Sequence, residues 1–367
     1  MYKLLGGLKD YFKHQEVQTD NAVFRLHNVF TTVVLLACSL MVTATQYVGQ
    51  PISCIVSGVP THVVNTFCWI SSTFTMPDAF QRHLKIGESV AHPGIANDFN
   101  DESAKKYYTY YQWVCFVLFF QAIACYTPKF LWDAFEGGLL QMIVRGLHFG
   151  ICRDEEKEAK KDLILNYLTS HLKRHKLYAI RYFACEALCL INIILQMWLM
   201  DRFFDGEFLS YGLRVMNLAD MPQEQRYDPM VYVFPRVTKC IFHKYGASGS
   251  IQKHDSLCIL PLNIVNEKTF IFIWFWYMFM LVLLIGLVIY RILMITMPRL
   301  RVSVLSTRNR MVPRDVARKL TQKIDVGDWW LIYMIGQNLD PIVYRDVLAQ
   351  LLNRLEMRNN HQIDDKL

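Results

Sequence analysis

Four long apolar runs interrupt an otherwise mixed chain. Val29–Tyr47, Tyr110–Thr127 and Thr269–Tyr290 contain no Asp, Glu, Lys or Arg, and Tyr178–Met200 carries only Arg181 and Glu186. Each approaches the ~20 residues with which a helix crosses ~30 Å of hydrocarbon. The pattern predicts a membrane protein with four transmembrane helices. The competing reading, a water-soluble fold with four buried helices, fits uncharged runs of this length poorly. The predicted divisions are residues 1–28, a first span 29–47, a connection 48–106, a second span 107–132 and a charged connection 133–177. A third span 178–200, a connection 201–268, a fourth span 269–295 and a tail 296–367 complete the chain. The first run does not read as a cleavable leader. It follows 28 residues that include Lys3, Lys9, Asp10, Glu16 and Asp20, and it exceeds the ~7–15 apolar residues of such a leader.

Polar positions within the pattern are informative. In the first span Thr32, Leu36, Ser39, Thr43 and Gln46 fall on one helical face. A weakly polar stripe serves either close helix packing or a wet pore. Pro128, in "YTPKFLW", removes a backbone hydrogen bond and is expected to kink or end the second helix. Glu186 is an ionisable group inside a span and therefore a functional candidate by default. Arg181 is its nearest charge in sequence, five residues away and not quite on the same face. Before the first span, Leu4, Leu5, Leu8, Tyr11 and Phe12 recur at helical spacing among charges, a short amphipathic helix.

Charge sets an orientation. Only 19% of residues are charged, against about 25% in soluble domains. With both termini and residues 128–177 inside, the inner segments hold 26 Lys and Arg against 18 Asp and Glu, and the outer ones 12 against 13. That is the positive-inside bias. The net charge of +7 thus reflects topology and gives no reason to expect nucleic acid. Four of the ten cysteines, Cys54, Cys68, Cys240 and Cys258, fall in the outer segments. In an oxidising compartment they predict two disulfides, with three pairings open on spacing alone. Cys38, Cys115, Cys125, Cys152, Cys185 and Cys189 are expected as free thiols. His171 and His175, four apart, could share a metal ion but lack a third ligand, so no metal or cofactor is expected. His27, His148, His171 and His175 are candidate pH sensors on inner segments. The basic run Arg299–Arg310 suits anionic lipid as well as it suits the positive-inside bias. No phosphate loop, nucleophile elbow or dinucleotide fingerprint appears, and nothing points to catalysis.

One short stretch carries more. "YYQWV", Tyr110, Tyr111, Gln112, Trp113 and Val114, opens the second span, where Tyr and Trp suit the boundary between hydrocarbon and water. With "GQPISC" after the first span, "YTPKFLW", and "FPRVTKCIFHKYGASGSIQKHDSLCILPLNIVNEK" before the fourth, the chain resembles the innexins, the invertebrate gap-junction channels, and insect innexins most. The resemblance covers nearly the whole chain and is weakest at the far C-terminus. It implies an all-α subunit of a ring-shaped, octameric large-pore channel, with disulfide-linked extracellular loops and a helical cytoplasmic dome. It implies a plasma-membrane location at cell–cell junctions, cytoplasmic termini, and head-to-head docking with self or other innexins. It places Met1, Tyr2, Lys3 and Leu4 in the pore, makes Thr32, Ser39, Thr43 and Gln46 pore-lining candidates, and favours Cys54 with Cys258 and Cys68 with Cys240. YYQWV is then expected to anchor and pack the second helix, away from permeant ions. An undocked hemichannel, as in pannexins, and a pore-less four-span adhesion protein are the alternatives. The outer segments contain no N-x-Ser/Thr sequon, which leaves their faces free of glycan for docking. Connexins carry three cysteines in each outer loop, where this chain has two.

Overall fold

The computed structural model describes residues 17–81, 92–96, 105–144, 154–217 and 229–364. Met1–Leu4, the amphipathic segment up to Phe12, His148 and Cys152 lie outside the described residues. In chain order, α1 (Ala22–Tyr47) leads to β1 (Ser53–Ile55), α2 (Thr61–Ser71), β2 (Thr73–Thr75), α3 (Asp78–Gln81) and β3 (Lys106–Tyr108). Next come α4 (Val114–Glu136), α5 (Leu139–Val144), α6 (Asp154–Ser170) and α7 (Lys176–Phe203). Then α8 (Phe208–Asn217), α9 (Pro229–Val233), β4 (Val237–Tyr245) and β5 (Ile251–Ile259) precede α10 (Pro261–Thr296). The tail forms α11 (Pro298–Arg308), α12 (Arg314–Lys323), α13 (Val326–Asn338) and α14 (Pro341–Asp364).

Four helices, α1, α4, α7 and α10, are long and apolar enough to cross a membrane. Their ends extend past the apolar runs because polar groups there close the backbone. The α1 helix starts at Asn21, whose side chain accepts the Phe24 N–H at 2.7 Å. A π-helical turn spans Leu26–Phe30, where the Asn28 amide donates to the Phe24 carbonyl at 2.7 Å. Pro128 lies inside α4 and does not end it; the helix continues to Glu136. Gly137 and Gly138, at φ 59° and 80°, make the stop. The Glu136 carboxylate then accepts from the Gly138 and Leu140 N–H groups at 2.7 and 2.6 Å, starting α5.

The chain divides into two compact units. One contains residues 29–126 and 191–282. Hydropathy alone gives no hint of strands here, yet this unit holds a five-stranded antiparallel sheet in the order β1-β5-β4-β2-β3. Its long hairpin pairs Val237 with Ile259 through Tyr245 with Ile251. Gly249, at φ 79°, closes the tip. The other unit contains residues 1–28, 127–190 and 283–367. In it α11 packs on α12, and α14 packs on α6 and α12. Trp329, Trp330, Leu331, Tyr344 and Leu351 fill its core. No more than 44% of the most apolar window of any spanning helix is buried by the chain itself, and only 22% in α10. Faces this apolar need lipid or further subunits against them.

Candidate junctional and pore-forming regions

The sheet unites the two long connections. Strands β1, β2 and β3 come from residues 48–106 with the two that follow, and β4 and β5 from residues 201–268. Cys54 stands opposite Cys258 in the β1–β5 register and is bonded to it across a Cα–Cα distance of 4.0 Å. Cys68 on α2 is bonded to Cys240 on β4 at 6.0 Å. All four sulfurs lie in one apolar cluster with Ile52, Val64 and Leu260, flanked by Phe67, Trp69 and Phe242. β1, β2 and β3 have only three residues each, and the disulfides tie β1 and α2 to the long β4–β5 hairpin. An ion pair fixes the same region: buried Glu267 accepts from Arg236 Nε and Nη2 at 3.1 and 2.9 Å. Among the described cysteines, Cys38, Cys115, Cys125, Cys185 and Cys189 are outside the disulfides.

YYQWV joins this domain to the second span. Tyr110, Tyr111 and Gln112 form a 3-10 turn, and Val114 begins α4. The Tyr111 hydroxyl donates to the Cys68 carbonyl at 3.3 Å, and Gln112 Nε2 donates to the Trp69 carbonyl. The Tyr111 ring also packs on Trp69, centroids 4.7 Å apart. Burial pushes the Tyr111 hydroxyl up to about 12, so it remains a donor throughout the physiological range. Tyr110 donates to the Val233 carbonyl at 2.9 Å, its ring edge-on to Phe204 and Phe234. Trp113 alone is well exposed, at 60%. Tyr111 and Gln112 therefore tie the cysteine-bearing α2 to the start of α4, and Tyr110 ties that start to α9.

The polar stripe of α1 divides. Ser39 is buried and donates to the Cys115 carbonyl at 2.9 Å, and Thr32 donates to the Ala122 carbonyl at 3.3 Å. Both hydroxyls thus pack α1 against α4 within one chain. Thr43 caps its own Ser39 carbonyl at 2.7 Å, and the Gln46 side-chain oxygen is buried without a hydrogen bond.

Glu186 finds a partner that sequence proximity hides. Arg291, on α10, donates to it from Nε at 2.7 Å and Nη2 at 2.8 Å, and Asn21 Nδ2 also donates. Arg181 instead lies over the Phe135 ring at 5.2 Å. The Arg291 guanidinium faces Trp330, Phe183, Tyr290 and Tyr182, the nearest at 4.5 Å. A second polar cluster goes unmarked in the sequence because amides carry no charge. The Gln196 amide donates to Asn192 Oδ1 at 3.2 Å and to Cys125 Sγ at 3.1 Å, and Tyr277 donates to Gln196 Oε1 at 2.6 Å. It links α4, α7 and α10 by groups whose alternative is an unmet polar atom in hydrocarbon.

The histidine pair is not a metal site among the described residues. His175 Nδ1 faces Asp328 at 2.8 Å and Nε2 faces Tyr167 at 3.1 Å, so both ring nitrogens are engaged. Asp328 also accepts the Lys173 N–H at 2.7 Å, clamping the α6–α7 turn to the start of α13. The lead-in to α1 is held likewise: Gln18 exchanges hydrogen bonds of 2.6 and 2.8 Å with Asn338, and Trp132 donates to the Thr19 carbonyl at 3.1 Å.

Four membrane-length helices and a disulfide-closed domain built from two separate connections define a four-span membrane protein with a rigid, oxidised face. The Innexin family model matches residues 20–355. The chain is similar to Innexin inx1 of Drosophila melanogaster, 72% identical over 97% of this chain and 98% of that protein. It is 64% identical to Innexin inx1 of Schistocerca americana over 97% of this chain and 98% of that protein. With Innexin shaking-B of Drosophila melanogaster it shares 48% identity over 99% of this chain and 97% of that protein. The chain belongs to the innexin family, the gap-junction channel subunits of invertebrates.

Proposed function

We propose that this chain forms an octameric hemichannel in the plasma membrane, alone or with other innexins. Two such rings dock head to head across neighbouring cells and pass ions and small metabolites by passive diffusion, without catalysis. The observation that carries this reading is the single sheet made from residues 48–106 and 201–268 and closed by two disulfides. It requires both connections on one side of the membrane, and the disulfides fit the exterior. The Gln18–Asn338 and His175–Asp328 contacts likewise bring the lead-in, the α6–α7 turn and the tail to a common side. The excess of Lys and Arg makes that side cytoplasmic. Met1 to Leu4 are assigned to the pore constriction, with Thr32, Ser39, Thr43 and Gln46 of the α1 stripe as pore-lining candidates. The exposed apolar faces of the spans are filled by lipid and neighbouring subunits.

Expression of the chain alone in paired cells tests this by transjunctional conductance, with Cys54→Ser as control. Large conductance that the control abolishes supports docking through the disulfide-closed domain. Dye uptake through single membranes without coupling would replace docking by an undocked hemichannel. Silence in both, with protein at the surface, would refute a homomeric channel.

A further inference from the structure

We infer that Arg301 anchors a binding site for a phosphate-bearing anion at the start of α11, where the chain leaves the fourth span. Arg301 is only 9% exposed, and its Nε is buried without a hydrogen bond. Among the described residues no carboxylate forms an ion pair with it. The other buried cations behave differently. Lys129 meets Asp20 and Asp133, Lys161 meets Glu158, Lys239 meets Asp255 and Arg291 meets Glu186. The local sequence offers no substitute: from Arg291 to Lys319 there are eight Lys and Arg, and Asp315 is the only acid. Positive-inside bias accounts for exposed Arg299 and Arg310, but it gives no reason to bury a guanidinium without a counter-charge, which is costly.

The surroundings indicate what supplies that charge. The first turn of α11 has no acidic residue, and Met297 provides no side-chain cap, so the positive end of this 11-residue helix is uncompensated. Arg301 is the fourth residue of the helix, and helical side chains lean toward the N-terminus. Arg308 follows two turns on, over the Tyr333 ring at 5.8 Å. A guanidinium grips phosphate oxygens in pairs, which favours phosphate over a simple halide. Ile292, Ile295 and Met297, exposed at the end of α10, offer apolar surface beside the site. That surface suits the acyl chains of an anionic lipid, whose headgroup phosphate and a free phosphate share the same recognition chemistry.

The test uses the full chain purified in alkyl maltoside micelles, which carry no phosphate, titrated with phosphatidic acid or with inorganic phosphate, and read by thermal unfolding and native mass spectrometry. Phosphatidic acid is expected to raise the unfolding temperature of the wild type. Arg301→Met should abolish that rise and cut lipid retention at least about tenfold, the loss of one good charge-assisted contact. Arg310→Gln should leave both unchanged. In maltoside alone Arg301→Met should be as stable as the wild type or more so, because the uncompensated charge is gone. An Arg301-dependent rise with inorganic phosphate alone would support the site and identify its ligand as a soluble anion. Equal losses in Arg301→Met and Arg310→Gln would overturn the site in favour of diffuse surface charge. So would an Arg301→Met protein that is destabilised yet keeps its full lipid response.

Discussion

Breaking the Glu186–Arg291 pair should have unequal effects from its two ends. Arg291→Met removes two charge-assisted hydrogen bonds, of 2.7 and 2.8 Å, and leaves a buried carboxylate supported by Asn21. Truncating one partner of such a buried pair costs about 3–5 kcal/mol. Glu186→Gln leaves the cation, but the guanidinium still faces four aromatic rings, with Trp330 at 4.5 Å. A desolvated cation–π contact contributes about 2 kcal/mol, so this variant should lose only about 2 kcal/mol. Together the two substitutions leave Gln beside Met, with no buried charge. The double variant should therefore be more stable than Arg291→Met alone, with a coupling of about 3 kcal/mol.

Cys185 and Cys189 are buried on the same helix, so a thiol-reactive dye reports unfolding there directly. At roughly 2.1 cal/mol/K per residue over 367 residues, 4 kcal/mol corresponds to about 5 °C. Additive losses in the double variant, or single losses below about 1 °C, would refute the view that the pair holds α7, α10 and the lead-in together.

Three further outcomes follow from the geometry. A Cβ on Gly212 would lie 2.2 Å from ring atoms of buried Trp274, whose indole N–H is tied to the Leu209 carbonyl; Gly212→Ala should cost about 1–3 kcal/mol by overpacking, read as a lower unfolding temperature. Cys68→Ser opens a bond that spans 172 residues of sequence and should lose about 2–5 kcal/mol; external protease should then cleave the 48–106 and 201–268 segments at a rate the wild type does not show. Gln112→Leu leaves the Trp69 carbonyl without its donor and should cost about 1–3 kcal/mol, with conductance per surviving channel unchanged. A fall in unitary conductance at normal stability would instead put YYQWV in the conducting path.

The parts of this fold legible in the sequence are those written in short periods. Three uncharged runs, and a fourth with one Arg and one Glu, give the four spans, and even cysteine numbers in two segments give the disulfides' locations. The sheet is not legible, because strands of three residues such as Ser53–Ile55 and Lys106–Tyr108 are too short to show alternation. Each exists only through pairing with a distant strand: Ser53–Ile55 with residues some 200 positions away and Lys106–Tyr108 with Thr73–Thr75. Glu186 was visible as an anomaly, but its partner lies 105 residues along the chain. Asn192 and Gln196 carry no charge and so left the apolar pattern unbroken. A count of amides in apolar runs would have been the usable signal.

The same distinction explains why a pentapeptide identifies this family. A hydrophobic helix tolerates exchange of one apolar residue for another, because lipid distinguishes them weakly. Tyr111 and Gln112 have no such latitude: each donates to a carbonyl of α2 beside Cys68, and α2 is itself bonded to β4 through Cys240. Changing either leaves a polar group of the disulfide-bearing helix unmet at the point where the disulfide-closed domain meets the second span. The motif occupies the joint between the disulfide-closed domain and the second span. Its rings also match the interface between hydrocarbon and water, so one stretch meets the demands of the membrane boundary and of the disulfide core at once.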